Sequence, residues 1–151
     1  MRIQTITAIA IAFFAGTTLA FAGGPATKDD AVAMVKKAVA TIKADGPEKA
    51  YAEIDKGGKF VDGEVYAIVQ GFDGVTLAHP TNPKLIGKNM SEAQDVDGKY
   101  FSRDMNELAH KQASFWYAYK FVNPETKKIE TKDTYCEALP TSRVCAGVYR
   151  D

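Results

Sequence analysis

Two histidines, two cysteines and a set of tyrosines and cations are the side chains with which this 151-residue chain could do chemistry. Nucleophilic catalysis needs a nucleophile with a base in reach and a third group to orient that base. His79 opens a proline-punctuated loop and His110 closes a helical stretch, and neither stands near a G-x-S-x-G elbow, so no enzyme is expected. Cys136, Cys145 and the two histidines show no zinc spacing, and C-x-x-C-H is absent, so neither metal nor cofactor is expected. The phosphate loop G-x-x-x-x-G-K has no match, and Gly57 to Phe60 lacks the buried strand that should precede such a loop. Asp95-Val96-Asp97-Gly98-Lys99 begins like a calcium loop, but its twelfth position is Asn106 where a bidentate Glu is required; it reads as a turn feeding a helix.

The remaining chemistry is binding. Lys132 and Tyr135 fall in one strand pattern, Tyr117 and Tyr119 in its neighbour, Arg103 one turn into a helix, and His79 at the end of a strand. One buried cation with a tyrosine hydroxyl suffices to hold a small carboxylate through charge-assisted hydrogen bonds in a low-dielectric pocket. The plainer alternatives are a surface ladder for the charges, a loop-internal hydrogen bond for His79, ordinary core for the aromatic strand and a helix-end charge for His110.

Positioning these residues falls to a short series of elements. Thr27 with Asp30 has the spacing of a capping box, and Ala31, Val32, Val35, Ala38, Val39 and Ile42 recur at helical period until Gly46-Pro47. A shorter helix starts at Pro47 and breaks at Gly57-Gly58. The period then becomes that of a strand over Glu64 to Phe72, with a two-residue hairpin turn expected at Asp73-Gly74 before VTLAH. Pro80, Asn82, Pro83 and Gly87 make His79 to Asn89 a long ordered loop. A second helix carries Phe101, Met105, Leu108 and Ala109, and three more strands follow: SFWYAYKFV, IETKDTYCEAL and RVCAGVY. Five strands and two main helices give an α+β domain. A last hairpin centred between Pro140 and Thr141 sets Cys136 opposite Cys145, close enough for a disulfide.

Bulk properties set the compartment. Arg2, an apolar run around Ile9 to Phe14 and Ala20-x-Ala22 make residues 1–22 a secretory signal peptide, with an uncleaved inner-membrane anchor as the alternative. Cleavage leaves a single domain, over residues 27–150, that is periplasmic or secreted, where a cysteine pair persists oxidised. Nineteen basic and nineteen acidic residues leave no basic field to recruit nucleic acid.

The run DGVTLAHPTNPKLIGKN, then DGKYFSRDMNELA, WYAYKFVNPETKKIETKDTY and the closing AGVY, resembles the single Cache domains, extracytoplasmic small-molecule sensor modules. The resemblance spans about Thr27 to Tyr149 and rests on Asp73, Gly74, His79, Pro80, Gly87, Lys88, Asn89, Lys132, Tyr135 and Gly147 among others. It implies a PAS-like fold, with a long N-terminal helix on a five-stranded antiparallel sheet and a pocket between sheet and loops for a small organic acid or similar metabolite. Ser114 and Phe115 depart from it, standing where glycines are usual, and the cysteine pair lies outside it. No output domain is expected after Asp151, so the expected role is ligand binding for signalling or delivery, with docking to a membrane receptor, kinase or transporter as the alternative.

Overall fold

The computed structural model describes residues 24–150; the expected signal segment lies outside the described residues. Helix α1 spans Lys28–Asp45. Thr27 accepts the Asp30 backbone N–H at 3.3 Å, and the Asp30 carboxylate accepts the Thr27 N–H at 2.7 Å, so two of the helix's free donors are satisfied reciprocally. Ala31, Met34, Val35, Ala38, Val39 and Ile42 form its buried stripe. Gly46, at a φ of 82°, turns the chain into α2, Pro47–Asp55.

The strand read across Glu64 to Phe72 is in fact two. Strands β1, Val61–Asp62, and β2, Val65–Tyr66, form a separate ribbon folded about Gly63. The Ala67 N–H then bonds the Phe60 carbonyl at 3.1 Å, outside any ladder, and β3 begins anew at Ile68–Gly71. The short upstream segment competes for the same backbone groups, which a hydrophobic pattern does not reveal. The turn into β4, Thr76–Ala78, also differs from the two-residue expectation. The Gly71 N–H bonds the Val75 carbonyl at 2.9 Å across a three-residue loop, and the Asp73 carboxylate accepts the Val75 N–H. Gly74 has a φ of 87°, and a Cβ there would lie 2.0 Å from Ser91 Oγ.

Helix α3 spans Phe101–Lys111, followed by β5 at Ser114–Val122, β6 at Ile129–Ala138 and β7 at Ser142–Arg150. The sheet is five-stranded and antiparallel in the order β4-β3-β7-β6-β5, so the α+β expectation holds. One face packs on α1 and α2 through Val69, Val144, Ala146 and Val148. The opposite face packs Phe115, Tyr119, Cys136 and Cys145 under Phe101, Met105 and Ala109 of α3. Cys136 pairs with Cys145 in the β6–β7 register, and the two form a disulfide with their Cα atoms 4.2 Å apart.

Both sheet edges are covered. Along β4, Val75 bridges Asn89, and Thr76 exchanges backbone bonds with Gly87 and Lys88. Along β5, Asp95 accepts the Lys120 N–H at 2.9 Å and Lys99 Nζ donates to the Ala118 carbonyl at 3.0 Å. The calcium-like DVDGK turn is therefore an edge guard for the outer strand.

Candidate functional site

Alternation along the strands decides which side chains reach the α3 face of the sheet. Phe115, Tyr117, Tyr119 and Phe121 of β5 point there, as do Lys132, Thr134 and Cys136 of β6 and Arg143, Cys145 and Tyr149 of β7. Under α3 and the 79–93 loop this face forms a small cavity of about 40 Å³, with Gln70, Thr76, His79, Tyr119, Thr134 and Arg143 as its polar lining and Leu85 and Met90 supplied by the loop. The loop is fixed at both ends. Asp55, at the end of α2, accepts the His79 N–H at 2.9 Å, and Asn89 Nδ2 donates to the Asp73 carbonyl at 2.9 Å.

His79 is 3% exposed, and its Nδ1 accepts the Asn82 N–H at 3.1 Å. That bond assigns the ring proton to Nε2, leaving a donor on a cavity-lining residue. Burial, and then the nearby Lys132, lower the imidazole pKa to about 4, so the ring is neutral near pH 7. Of the two expected roles for His79, the loop-internal hydrogen bond is present.

Lys132 has no solvent exposure, and its Nζ has no hydrogen-bond partner among the described residues. It lies beside the cavity without lining it, opposite Tyr119 across the β5–β6 pairing and two residues from Thr134 on the same face. Its ammonium position is 3.9 Å from the Tyr66 ring centroid and 5.0 Å from that of Tyr149, rings joined by a hydroxyl contact of 3.2 Å. Desolvation holds its pKa below the ordinary lysine value. Gly147 makes the room: a Cβ there would stand 2.8 Å from Lys132 Cε and 2.8 Å from Thr134 Oγ1. Thr134 Oγ1 is likewise buried and unpartnered.

The cation that lines the cavity is one the sequence reading missed. Arg143, 3% exposed, donates from Nε to Asn106 Oδ1 at 2.8 Å, from Nη2 to Gln70 Oε1 and to the Ser102 carbonyl, and abuts the disulfide at Cys145 Sγ. Every one of these partners is neutral, and burial brings its pKa down to about 10. The signal in the sequence was parity, since Arg143 lies two residues from Cys145 and so shares its face of the sheet. Among the described residues no carboxylate is buried. The cavity region thus holds two buried basic side chains with no buried carboxylate among the described residues, an arrangement suited to an anion.

Three of the residues expected in the site are elsewhere. Tyr135 is an odd step from Lys132 and points to the α1 face, against Trp116 and Glu137. Arg103 is exposed on α3, stacked on the Tyr100 ring at 3.9 Å, because the buried face of α3 is carried by Ser102, Met105 and Asn106. Tyr117 shares the cavity face but lies beyond the cavity wall and donates to Asp104 at 2.6 Å. Burial and Asp104 raise its pKa. Nor do Ser114 and Phe115 shape the cavity, since Ser114 is exposed and Phe115 packs into the cluster under α3.

A larger open groove of about 880 Å³ runs past Asp30, Asp62, Glu64, Glu125 and Glu130 at the far end of the sheet. Asp30 is engaged in its helix cap, and Glu64 and Glu130 share the Asn123 amide at 3.0 and 2.7 Å. Its acidity excludes the anion chemistry that the smaller cavity favours.

Comparison with solved structures finds the same fold. A methyl-accepting chemotaxis protein from Vibrio parahaemolyticus superimposes with a TM-score of 0.72 at 19% identity, over 82% of this chain and 88% of that one. A Cache chemosensory domain described for its carboxylic acid recognition gives 0.66 at 23% identity, over 82% of this chain and 88% of its own. The periplasmic sensor domain of a chemotaxis protein gives 0.66 at 22%, over 82% and 90%. At these identities the likeness is one of fold. No curated protein matches the chain. The family model described as Single Cache domain 2 matches residues 1–148. The chain, with its helix-covered five-stranded sheet, belongs to the Single Cache domain 2 family.

Proposed function

We propose that this domain is an extracytoplasmic binding module for a small organic anion, a carboxylate of two or three carbons held between Tyr119, Thr134 and His79 in the field of Lys132 and Arg143. The observation that carries this reading is the pair of buried basic side chains, Lys132 and Arg143, at a small cavity, with no buried carboxylate among the described residues. At about 40 Å³ the space holds roughly three water molecules, or a ligand of acetate size, without side-chain movement. The described neighbour that recognises carboxylic acids supports the same ligand class. Residues 1–22 act as the export signal in this reading, and the domain over 27–150 reports its occupancy to a membrane receptor or kinase rather than turning over its ligand. Among the described residues no helix is long and apolar enough to cross a membrane.

The test is the thermal shift of the purified domain against acetate, propionate, glycolate, pyruvate and larger acids. A ligand at a hundred times its Kd adds about 2.7 kcal/mol, which is several degrees for a domain of this size. Stabilisation by the smallest acids, reduced about tenfold in affinity by Thr134→Val, is expected from the loss of one hydrogen bond to a charged group. A folded domain that responds to no acid of two to four carbons overturns the reading.

A further inference from the structure

A fully buried amine with no hydrogen bond and no carboxylate in ion-pair range is a costly place for a positive charge. The groups packed around Lys132 do little to offset that cost. Tyr66 of β2 and Tyr149 of β7 offer ring faces, and Tyr119 of β5 lies opposite with a neutral phenol that burial holds protonated. His79, from the loop after β4, is neutral near pH 7. Glu64, between β1 and β2, spends its two oxygens on the Tyr149 N–H and the Asn123 amide. Arg143 of β7 adds a second positive charge to the same cavity. Asp133, the next residue along β6, faces away and pairs with Lys28 and Arg150.

We propose that an anion entering this cavity is bound together with one proton, which Lys132 takes up. The inference rests on the anion-binding reading above and adds its regulation by pH. In the unliganded domain burial disfavours the ammonium, since neither rings nor neutral donors replace the lost water. A carboxylate resting on Thr134 and Tyr119 lies next to that amine and supplies the missing counter-charge, so the ammonium becomes the favoured form. The balance is protein amine plus carboxylate plus one proton from solvent giving an ammonium–carboxylate pair, with no bond broken in the ligand. Between the free and occupied pKa values of Lys132, affinity falls about tenfold for each unit rise in pH. The domain thereby reports a weak acid most strongly where its surroundings are acidified.

Two measurements test this separately from the site itself. With lysine labelled in 13C and 15N, the Lys132 resonance, identified by its loss in Lys132→Met, is titrated without ligand; a midpoint well below the other lysines is expected. Titration together with the exposed lysines overturns the proposal whatever the ligand. Calorimetry with acetate in two buffers of different ionisation enthalpy then counts protons. Uptake approaching one proton per acetate, abolished in Lys132→Met and Lys132→Gln variants that unfold cooperatively, is expected. Acetate binding with no proton exchange overturns the coupling and leaves the site standing, whereas no binding by acetate or any other acid of two to four carbons overturns both.

Discussion

His79 shows how much one hydrogen bond can fix. Nδ1 accepts the Asn82 N–H, and burial, then Lys132, disfavour the imidazolium, so the folded pKa of about 4 lies below the unfolded value near 6.5. The unfolded chain therefore binds the extra proton first as pH drops. This stabilisation is complete above about pH 6.5 and is lost as pH falls towards 4, by an amount on the order of 3 kcal/mol. Urea unfolding between pH 7 and 4.5 should show that loss, and His79→Gln should flatten it; an equal loss in the variant would place the titrating group elsewhere. Gly147 acts by what it lacks. Its Cβ would meet the Asp133 carbonyl at 2.7 Å as well as Lys132 and Thr134, so Gly147→Ala should cost about 1 to 3 kcal/mol in stability and weaken acetate binding. Unchanged denaturant midpoint and affinity would show that the β6–β7 strands yield freely there.

Each element's contribution is set by which of its faces is occupied. Helix α1 covers one side of the sheet with an uninterrupted stripe, which leaves the other side free to enclose a cavity under the shorter α3. Strand β5 is nine residues long and lies at the edge, where open backbone groups invite pairing with another chain. Asp95 and Lys99 occupy two of those groups, and Asp95 also binds the Lys99 and Asp97 N–H groups that shape its own turn. Asp95→Ala should release the turn and leave the edge open, seen as concentration-dependent association by light scattering. A variant that stays at the wild-type size up to millimolar concentration would show that the turn does not guard the edge.

At the scale of the molecule, the Cys136–Cys145 disulfide ties β6 to β7 at the centre of the sheet, directly under Met105 of α3 and against Arg143. Its loop is short, with the cysteines nine residues apart, so the unfolded chain is constrained only modestly, and reduction should cost roughly 2 to 3 kcal/mol. Differential scanning calorimetry of oxidised and reduced protein should separate the two by several degrees. Acetate affinity should persist in the reduced form, because the β6–β7 register is held by backbone pairing along the whole hairpin. A reduced protein that melts with the oxidised one would make the bridge irrelevant to stability.

Local rules in the sequence determined most of this architecture. The T-x-x-D cap, the Gly46-Pro47 junction, the nine-residue aromatic strand and the Cys136–Cys145 register each depend on neighbours a few residues away, and each stands where the pattern put it. The placement of His79 and Tyr119 at the cavity was legible because a strand end and an alternating strand face are local properties, and Lys132 follows Tyr119 onto the same face across the pairing. Applied further, the same parity would have set aside Tyr135, three residues on, which was expected in the site, and brought in Arg143, two residues from Cys145, which was not. What only the tertiary structure decided is what covers each face. It placed α3 so that Ser102 and Asn106, rather than Arg103, turn inwards, broke the first strand to pair Val65–Tyr66 with Val61–Asp62, and put Lys132 out of contact with water and without an ion pair among the described residues. Burial and counter-charge arise from segments distant in the chain, and no window of sequence contains them.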